Sequence, residues 1–193
     1  MKIYVKSILY VLVTLAGLGL PLRLPAAPVP EAERIPVDLR RTTLVVRDIE
    51  RSLPLYRDGL GLKVIYDQLI GGGPQPDGRT LPPTVRLVLL RANDDFIGVL
   101  GLMQRLNLEQ APTPPEFRRA GPGGLILVFN IQDLEQRFVR IEATPFVTVA
   151  EKPRRIDYPA AGGGSIPVLF SAVWDADGNF IELNRLLGTP AGR

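Results

Sequence analysis

The side chains available for chemistry in this sequence are carboxylates, arginines, hydroxyls and amides, because its 193 residues include no cysteine and no histidine. The missing residue types exclude disulfide bonds, thiol nucleophiles, Ser-His-Asp triads and zinc sites built from His or Cys. Any metal ion would have to bind to carboxylate and carbonyl oxygens alone.

Three glycine-rich stretches, GGGPQPDG, GPGG and AAGGGS, do not match a nucleotide-binding motif. They lack the lysine of a P-loop, and none opens a helix directly after a strand, as a dinucleotide site requires. We therefore interpret them as loops.

The sequence pI, near 9.4, owes its basic value to the N-terminal residues. Lys2, Lys6 and Arg23 are the only charged residues before Glu31, so the chain beyond residue 26 carries 20 basic and 20 acidic residues. Binding of nucleic acid through phosphate contacts needs a net or clustered positive charge. We therefore expect no nucleic-acid partner.

Residues 1–26 have the pattern of a secretory signal peptide: a basic start, an apolar run of about 14 residues, then proline and small residues. The run is short for a membrane-spanning helix, which needs about 20 residues. We expect cleavage after Ala26 and an exported protein, periplasmic or secreted. The alternative is an uncleaved leader that anchors the protein in the membrane, which is the one membrane contact that we expect.

Hydrophobic periodicity predicts a βαβββ unit in the first half of the chain. The β-branched stretch TTLVVRD predicts a strand, and Asp48 can cap the helix that follows it. Pro54 should bend that helix or loosen its first turns. Further strands are predicted for LKVIYD, TVRLVLLRA (84–92) and FIGVLGLM (96–103). The apolar residues at helical spacing are Ile49, Leu53, Tyr56 and Leu60.

The same order of elements recurs in the second half. The stretch 124–151 predicts a strand, a helix capped by Asp133 and another strand, and 168–186 predicts two strands around a turn, Asp175 to Asn179. The motifs NDDFIG and DGNFIE align at nearly the same spacing as the two caps, which indicates an internal repeat. The inward residues of the second helix are predicted to be Leu134, Phe138 and Ile141.

The stretches LVVRDIERSLPLYRDGLGLKV and DADGNFIEL resemble the two signature stretches of the vicinal oxygen chelate superfamily, the glyoxalase, bleomycin-resistance and extradiol dioxygenase group. The resemblance implies an α+β fold of two βαβββ modules whose curved sheets enclose a shared funnel. The predicted segments are a signal peptide (1–26), a linker (27–39), a vicinal oxygen chelate domain (40–187) and a tail (188–193). Within the domain they are module one (40–104), a connector (105–123) and module two (124–187).

The resemblance also implies where a metal ion would bind, because the metal-dependent members carry His, Glu or Gln on the first and last strands of each module. Carried over by spacing, these positions are Arg41, Gly98, Ile126 and Glu182. Only Glu182 is a suitable ligand, since Arg41 is permanently charged and would repel a cation. We expect no metal or other cofactor, unless nonstandard oxygen ligands supplement Glu182.

Two interpretations of Arg41 follow from the resemblance. If Arg41 and Glu182 line one funnel, the guanidinium could take the place of the ion and pair with the carboxylate, or receive a carboxylate, enolate or phenolate of a ligand. The alternative is that Arg41 lies at the open end of the strand and faces solvent beside Arg40.

Strand alternation adds further candidates for ligand binding. Thr43 shares a face with Arg41, while Val128 and Asn130 share one with Ile126. Asn130 lies between two apolar residues, so its amide either reaches a ligand or satisfies a backbone group.

The aromatic residues Phe170 and Trp174 are interpreted as core or dimer contacts rather than as ligand-stacking residues. By the resemblance, the loops at 71–83 and 159–166 could cover the funnel as lids.

Three functional hypotheses remain. The first is a metal-free, exported binding protein that holds a small organic molecule, neutral or anionic, in an apolar funnel, with Arg41 as anchor. The second is a lyase, isomerase or dioxygenase that uses Glu182 as a general base or with a metal ion. The third is an interaction module held at the membrane by an uncleaved leader. We favour the first hypothesis. The sequence does not decide between a monomer and a homodimer.

Overall fold

The computed structural model describes residues 29–108, 121–160 and 163–188. The predicted signal peptide and most of the predicted connector lie outside these ranges. Within the described ranges, no helix is both long enough and apolar enough to cross a membrane.

Module one contains the elements that the sequence predicts, together with a short extra hairpin. Its elements are β1 (Arg41–Val45), α1 (Ile49–Leu53), a π-helical turn (Pro54–Gly59), β2 (Lys63–Ile70), β3 (Gly73–Pro74), β4 (Thr80–Leu81), β5 (Val85–Arg91) and β6 (Val99–Arg105). The hairpin of β3 and β4 lies inside the predicted loop 71–83.

Module two repeats this order without the hairpin. Its elements are β7 (Ile126–Asn130), α2 (Leu134–Glu142), β8 (Thr148–Pro159), β9 (Ser165–Trp174) and β10 (Phe180–Leu186). The strand orders are β1-β6-β5-β2 and β7-β10-β9-β8, and in each sheet the first strand is parallel to its neighbour while the other pairs are antiparallel. The predicted α+β fold of two βαβββ modules is confirmed.

The helix of module one begins and changes as its sequence predicts. The side chain of Asp48 accepts a hydrogen bond from the backbone N–H of Glu50 at 2.9 Å and so caps the first turn. At Pro54 the α-helix becomes a wider π-helical turn, which closes with a bond from the N–H of Leu60 to the carbonyl of Leu55. Proline cannot donate to the preceding turn, and the wider winding accommodates this.

Asp133 is the N-cap residue of α2, as predicted, but it does not cap the helix through its side chain. The Asp133 side chain makes no capping hydrogen bond, because its carboxylate is held by Arg137 through Nε at 2.9 Å and Nη2 at 2.8 Å. The free Nη1 of Arg137 donates to the carbonyl of Leu60, so this guanidinium links the two modules.

A continuous core joins the modules. It contains alternate residues of the sheets, such as Leu102 and Leu183, together with the inward residues of both helices, all of which are buried as predicted. Since successive strand residues point to opposite faces, the residues between them lie on the other face of each sheet. We call these two surfaces open face one (module one) and open face two (module two).

The turn Asp175 to Asn179 docks module two onto α1 and the π-helical turn. The Asp175 carboxylate is fully buried and accepts bonds from the Tyr56 hydroxyl at 2.8 Å, from the backbone N–H groups of Asp177 and Asn179, and from the Asn179 amide. Next to it, Arg47 pairs with Asp177 at 2.8 Å. We call this set of contacts the docked turn.

Candidate functional site

Open face two carries polar and aromatic groups at its centre. The register of β7 and β10 pairs Ile126 with Phe180, Val128 with Glu182, and Asn130 with Asn184. On the other side of β10, the strand β9 places Trp174, Ala172 and Phe170 opposite Phe180, Glu182 and Asn184. Paired residues share a face. Glu182 therefore lies in the middle of this surface, among aromatic side chains.

Open face one is aliphatic at its centre and polar at its edges. It begins with Arg41 and Thr43 on β1, which pair with Val99 and Gly101 on β6. Farther across the sheet, β5 contributes Leu87 and Leu89. Beyond them, β2 places Tyr66 and Gln68 opposite Leu89 and Leu87, so polar side chains stand at both edges of this face.

A cavity of about 140 Å³ lies between the two modules, and most of its lining residues belong to the core face of the sheets. We call it the junction cavity. It is lined by residues 98–100 of module one and 127–129 of module two, together with Leu39, Thr42, Leu62 and Ala92. Val99 is the register partner of Arg41, and Val128 is the register partner of Glu182. Of the predicted candidates, Gly98 lines the cavity, whereas Arg41 and Glu182 are connected to it only through these register partners.

The strand register corrects one predicted equivalence. Arg41 pairs with Val99, and Ile126 pairs with Phe180, so the residue of module one that matches Glu182 is Gly101 and not Gly98. The sequence alignment of NDDFIG with DGNFIE was wrong by three residues because the turn before β6 is longer than the turn before β10. Gly98 instead has a φ of +68° and ends the turn before β6.

The Thr43 side chain takes the space of the missing side chain at Gly101. A Cβ atom built on Gly101 would lie 2.6 Å from Thr43 Oγ1. No ligating side chain can occupy this position without displacing Thr43. Thr43 lies on the face of Arg41, as predicted, and there it fills the space beside Gly101.

The residues present do not fit the divalent metal ion that the fold family implies. The four matching positions hold Arg41, Gly101, Ile126 and Glu182, which provide one carboxylate in total. Among the residues that the structure describes, no group of three or more His, Cys, Asp or Glu side chains could hold a metal ion. A single carboxylate falls well short of the three or more protein ligands that such ions usually require.

The pair of Arg41 with Glu182 that would replace the ion does not form in the structure. Arg41 is exposed, and within the described ranges its side chain has no hydrogen-bond or ion-pair partner. Glu182 is half-buried and accepts one long hydrogen bond, 3.4 Å, from Nδ2 of Asn184. Both charged groups are thus left available to another molecule.

Asn184 was missed by the sequence reasoning. Its Oδ1 atom is buried and has no hydrogen-bond partner. No other side-chain N or O atom of the described residues is in this situation. A buried acceptor without a donor costs about 1–3 kcal/mol. The signal was present, since Asn184 lies two residues after Glu182 on a strand and so must share its face.

Asn130 lies beside this group. It is the register partner of Asn184 and is exposed. The backbone N–H that bonds to the Asn184 carbonyl belongs to Ile131, at 2.7 Å, so the Asn130 amide is not needed to satisfy that group.

The aromatic residues of β9 are not core residues. Phe170 and Trp174 are half-buried on open face two and do not belong to the core cluster. The Trp174 ring lies 4.7 Å from the Phe180 ring, centroid to centroid, at an angle of 57°. The Phe170 ring receives the Arg154 guanidinium at 5.7 Å. The interpretation of Phe170 and Trp174 as core is therefore wrong, while a dimer contact stays a prediction.

Comparison with known proteins identifies the fold. No protein-family model and no curated protein matches the sequence. A glyoxalase family protein from Bacillus cereus matches with a TM-score of 0.55 and 14% identity over 82% of this chain and 100% of that chain. The trypanothione-dependent glyoxalase I of Leishmania major matches with a TM-score of 0.49 and 19% identity over 77% and 86%. An antibiotic-binding protein from a Streptomyces species matches with a TM-score of 0.49 and 19% identity over 79% and 99%.

Proposed function

We propose that this chain, which has the fold of the vicinal oxygen chelate superfamily, binds a small organic molecule in the cavity between its two modules, without a resident metal ion. The observation that carries the proposal is the junction cavity, whose walls come from both modules and are apolar except for Thr42. Concave, mainly apolar sites with a few convergent polar groups are typical of small-molecule binding.

The polar groups beside the cavity support the same proposal. Arg41 and Glu182 lie next to cavity residues, and neither has an ion-pair partner among the described residues. Arg41 can anchor a carboxylate, enolate or phenolate of a ligand. Direct contacts from these side chains take over the orienting role that a metal ion has elsewhere in the superfamily.

The size of the cavity limits the part of the ligand that it encloses. An apolar cavity of about 150 Å³ can enclose a molecule of the size of benzene. The junction cavity has a similar volume. We therefore propose that it encloses one ring or a short aliphatic group, while the rest of the ligand lies along the open faces.

The chain carries its own reporter for ligand binding. Trp174 is its one tryptophan, and it lies on open face two. Titration with a panel of small aromatic compounds should therefore give a saturable change in tryptophan fluorescence, with a matching rise in the melting temperature.

A matched pair of variants tests the location. Val128→Phe should fill the mouth of the cavity and weaken binding at least ten-fold, whereas Val139→Phe, on an exposed position of α2, should not change it. Equal binding by both variants would contradict the proposed site. Turnover of a bound compound that is lost in Glu182→Gln would instead support the alternative of a lyase, isomerase or dioxygenase.

We also propose that the protein acts outside the cytoplasm, on the basis of the signal pattern in residues 1–26. N-terminal sequencing of exported protein should give Ala27 as the first residue. A retained Met1 in membrane-bound material would indicate the uncleaved anchor instead.

A further inference from the structure

We infer that this protein forms a homodimer in which the segment that precedes β1 in one copy pairs with the outer edge of β2 in the other copy. We call this segment the arm and define it as residues 34–40. The inference goes beyond the proposed function and does not depend on a ligand. It rests on two exposed apolar elements that a single copy cannot bring together.

The arm has the side-chain pattern of a strand that is covered on one face. Ile35, Val37 and Leu39 alternate with polar residues and a proline, which is the period of two of a strand. They are 71%, 71% and 79% exposed, the highest values among the large hydrophobic residues that the structure describes. Within the described ranges, the arm is joined to the body by the hydrogen bond from the N–H of Val99 to the carbonyl of Arg40. An apolar face of this kind indicates a surface that another element covers.

The outer edge of β2 is the matching surface. β2 is the last strand in the order of its sheet, and all eight of its residues are exposed. Unpaired edge strands accept a strand from another chain unless proline, bulges or charged residues oppose the pairing. The outer strand of module two, β8, has two irregularities and carries Lys152, Pro153, Arg154 and Arg155 in its middle. β2 has no proline and only one irregularity, near its start, so it is the edge more open to a further strand.

The two elements match in length and in backbone pattern. The regular part of β2 runs from Tyr66 to Ile70, and the apolar part of the arm runs from Ile35 to Leu39, so each has five residues. The arm bends at Pro36 in the single copy and would straighten on pairing. Backbone groups of successive strand residues point to opposite sides, so the three apolar residues would bond to β2 while Pro36 faces outward. Proline lacks an N–H, and none is needed on the outer side of an edge strand.

The arm cannot reach the β2 edge of its own copy. In the strand order β1-β6-β5-β2, a strand added beside β2 would lie four strand spacings, about 19 Å, from β1. The four residue steps from Val37 to Arg41 span at most about 14 Å. Val37 and Leu39 can therefore lie beside β2 only in a second copy. Leu39 stays near the junction cavity of its own copy, which it lines, because Arg40 remains bonded to Val99.

Sedimentation equilibrium of the predicted mature chain, residues 27–193, tests the association. The chain should be a dimer at micromolar concentrations. Val37→Asp should raise the dissociation constant of the dimer at least ten-fold, because the pairing would bury a carboxylate. The matched control is Val29→Asp, which changes an exposed valine ahead of the arm and should have no effect. A monomer at every concentration, or equal effects of the two variants, would overturn the inference.

Two tyrosines on the outer strands test which edge is paired. Tyr66 on β2 and Tyr158 on β8 are 38% and 40% exposed. Tyr66→Lys should raise the dissociation constant of the dimer at least ten-fold, because lysine on an edge strand opposes pairing. Tyr158→Lys should leave it unchanged. Dimerisation that is sensitive to Tyr158→Lys and not to Tyr66→Lys would contradict β2 as the partner of the arm.

Disulfide trapping tests the contact itself, because the chain has no cysteine of its own. With oxidised glutathione as oxidant, a mixture of Val37→Cys and Gln68→Cys variants should give a disulfide-linked dimer that contains one copy of each. A mixture of Val37→Cys and Tyr158→Cys should not. Absence of the first mixed disulfide in a dimeric protein would overturn the inference. So would a disulfide within one chain of the double variant Val37→Cys with Gln68→Cys at high dilution, because the arm would then reach its own β2.

Discussion

The two modules have the same strand order and differ in what their equivalent positions carry. The open face of module one is mainly apolar around Gly101, whereas that of module two is aromatic around Glu182, which holds the matching position. Their turns differ as well. The turn before β10 is the docked turn, built around the fully buried Asp175, while the turn before β6 is exposed and leaves Phe96 52% accessible.

This difference shows that the repeat preserves the backbone frame while chemistry and docking are assigned to one copy. The strand order and register depend on alternation of apolar residues, which both copies retain. The ligand positions depend on single side chains. They can diverge without any loss of core packing, because they lie on the faces that the core does not use.

The largest effect is expected from the docked turn. Asp175→Ala removes the acceptor of four hydrogen bonds, one of them from buried Tyr56, and should lower the free energy of unfolding by about 3 kcal/mol. Urea titration measures this loss. The matched variant in module one is Asp94→Ala, where the carboxylate accepts from two backbone N–H groups of an exposed turn, and its loss should be much smaller. Equal losses would mean that the two turns do not differ as described.

The close contact of Gly101 with Thr43 should give the next largest effect. In Gly101→Ala the new methyl group would lie 2.6 Å from Thr43 Oγ1, and this overpacking should cost about 1–3 kcal/mol. The double variant Thr43→Ala with Gly101→Ala should recover most of the loss in the same urea titration. Gly121→Ala, which meets no atom within 4 Å, is the control. Failure of the double variant to recover would argue against Thr43 as the residue that fills this position.

Alkaline pH should weaken the docked turn through Tyr56. Burial and the neighbouring Asp175 raise the pKa of the Tyr56 hydroxyl well above its usual 10.0. The unfolded chain releases this proton near pH 10 and the folded chain does not, so the free energy of unfolding falls as pH rises above 10. The loss in the free energy of unfolding from this one group is about 1.4 kcal/mol at pH 11.

Tyr56→Phe serves as the comparison for this pH effect. The variant lacks the bond to Asp175 and should therefore be less stable than the wild type at pH 8. Between pH 9 and pH 11, however, its stability should decline less than that of the wild type. Parallel declines of the two proteins would contradict a buried, protonated Tyr56.

The smallest effect is expected at Arg41 and is confined to binding. Arg41→Met should weaken binding of benzoate by about three- to ten-fold, because a charged hydrogen bond is lost, and should leave stability unchanged. Arg40→Met is the control, since the Arg40 guanidinium lies over the Phe96 ring and not beside the cavity. Equal affinity of both variants for benzoate would support the alternative in which Arg41 only faces solvent.

The sequence was sufficient for the fold because its signals are local and repeated. Periodicity predicted the strands and helices, and Asp48 and Pro54 predicted how the first helix begins and changes. The site was harder to predict, since it depends on register between distant strands. A difference in turn length shifted the alignment from Gly101 to Gly98, and the docked turn could not be foreseen, because Asp175 and Tyr56 meet only in the folded chain.

The central claim is that the organic ligand is bound directly and not through a metal ion. The most direct measurement is the affinity of the tightest compound from the aromatic panel, by Trp174 fluorescence, before and after treatment with EDTA and again after addition of divalent ions. We predict the same dissociation constant in all three conditions. A loss of ten-fold or more with EDTA that a divalent ion restores would contradict the account.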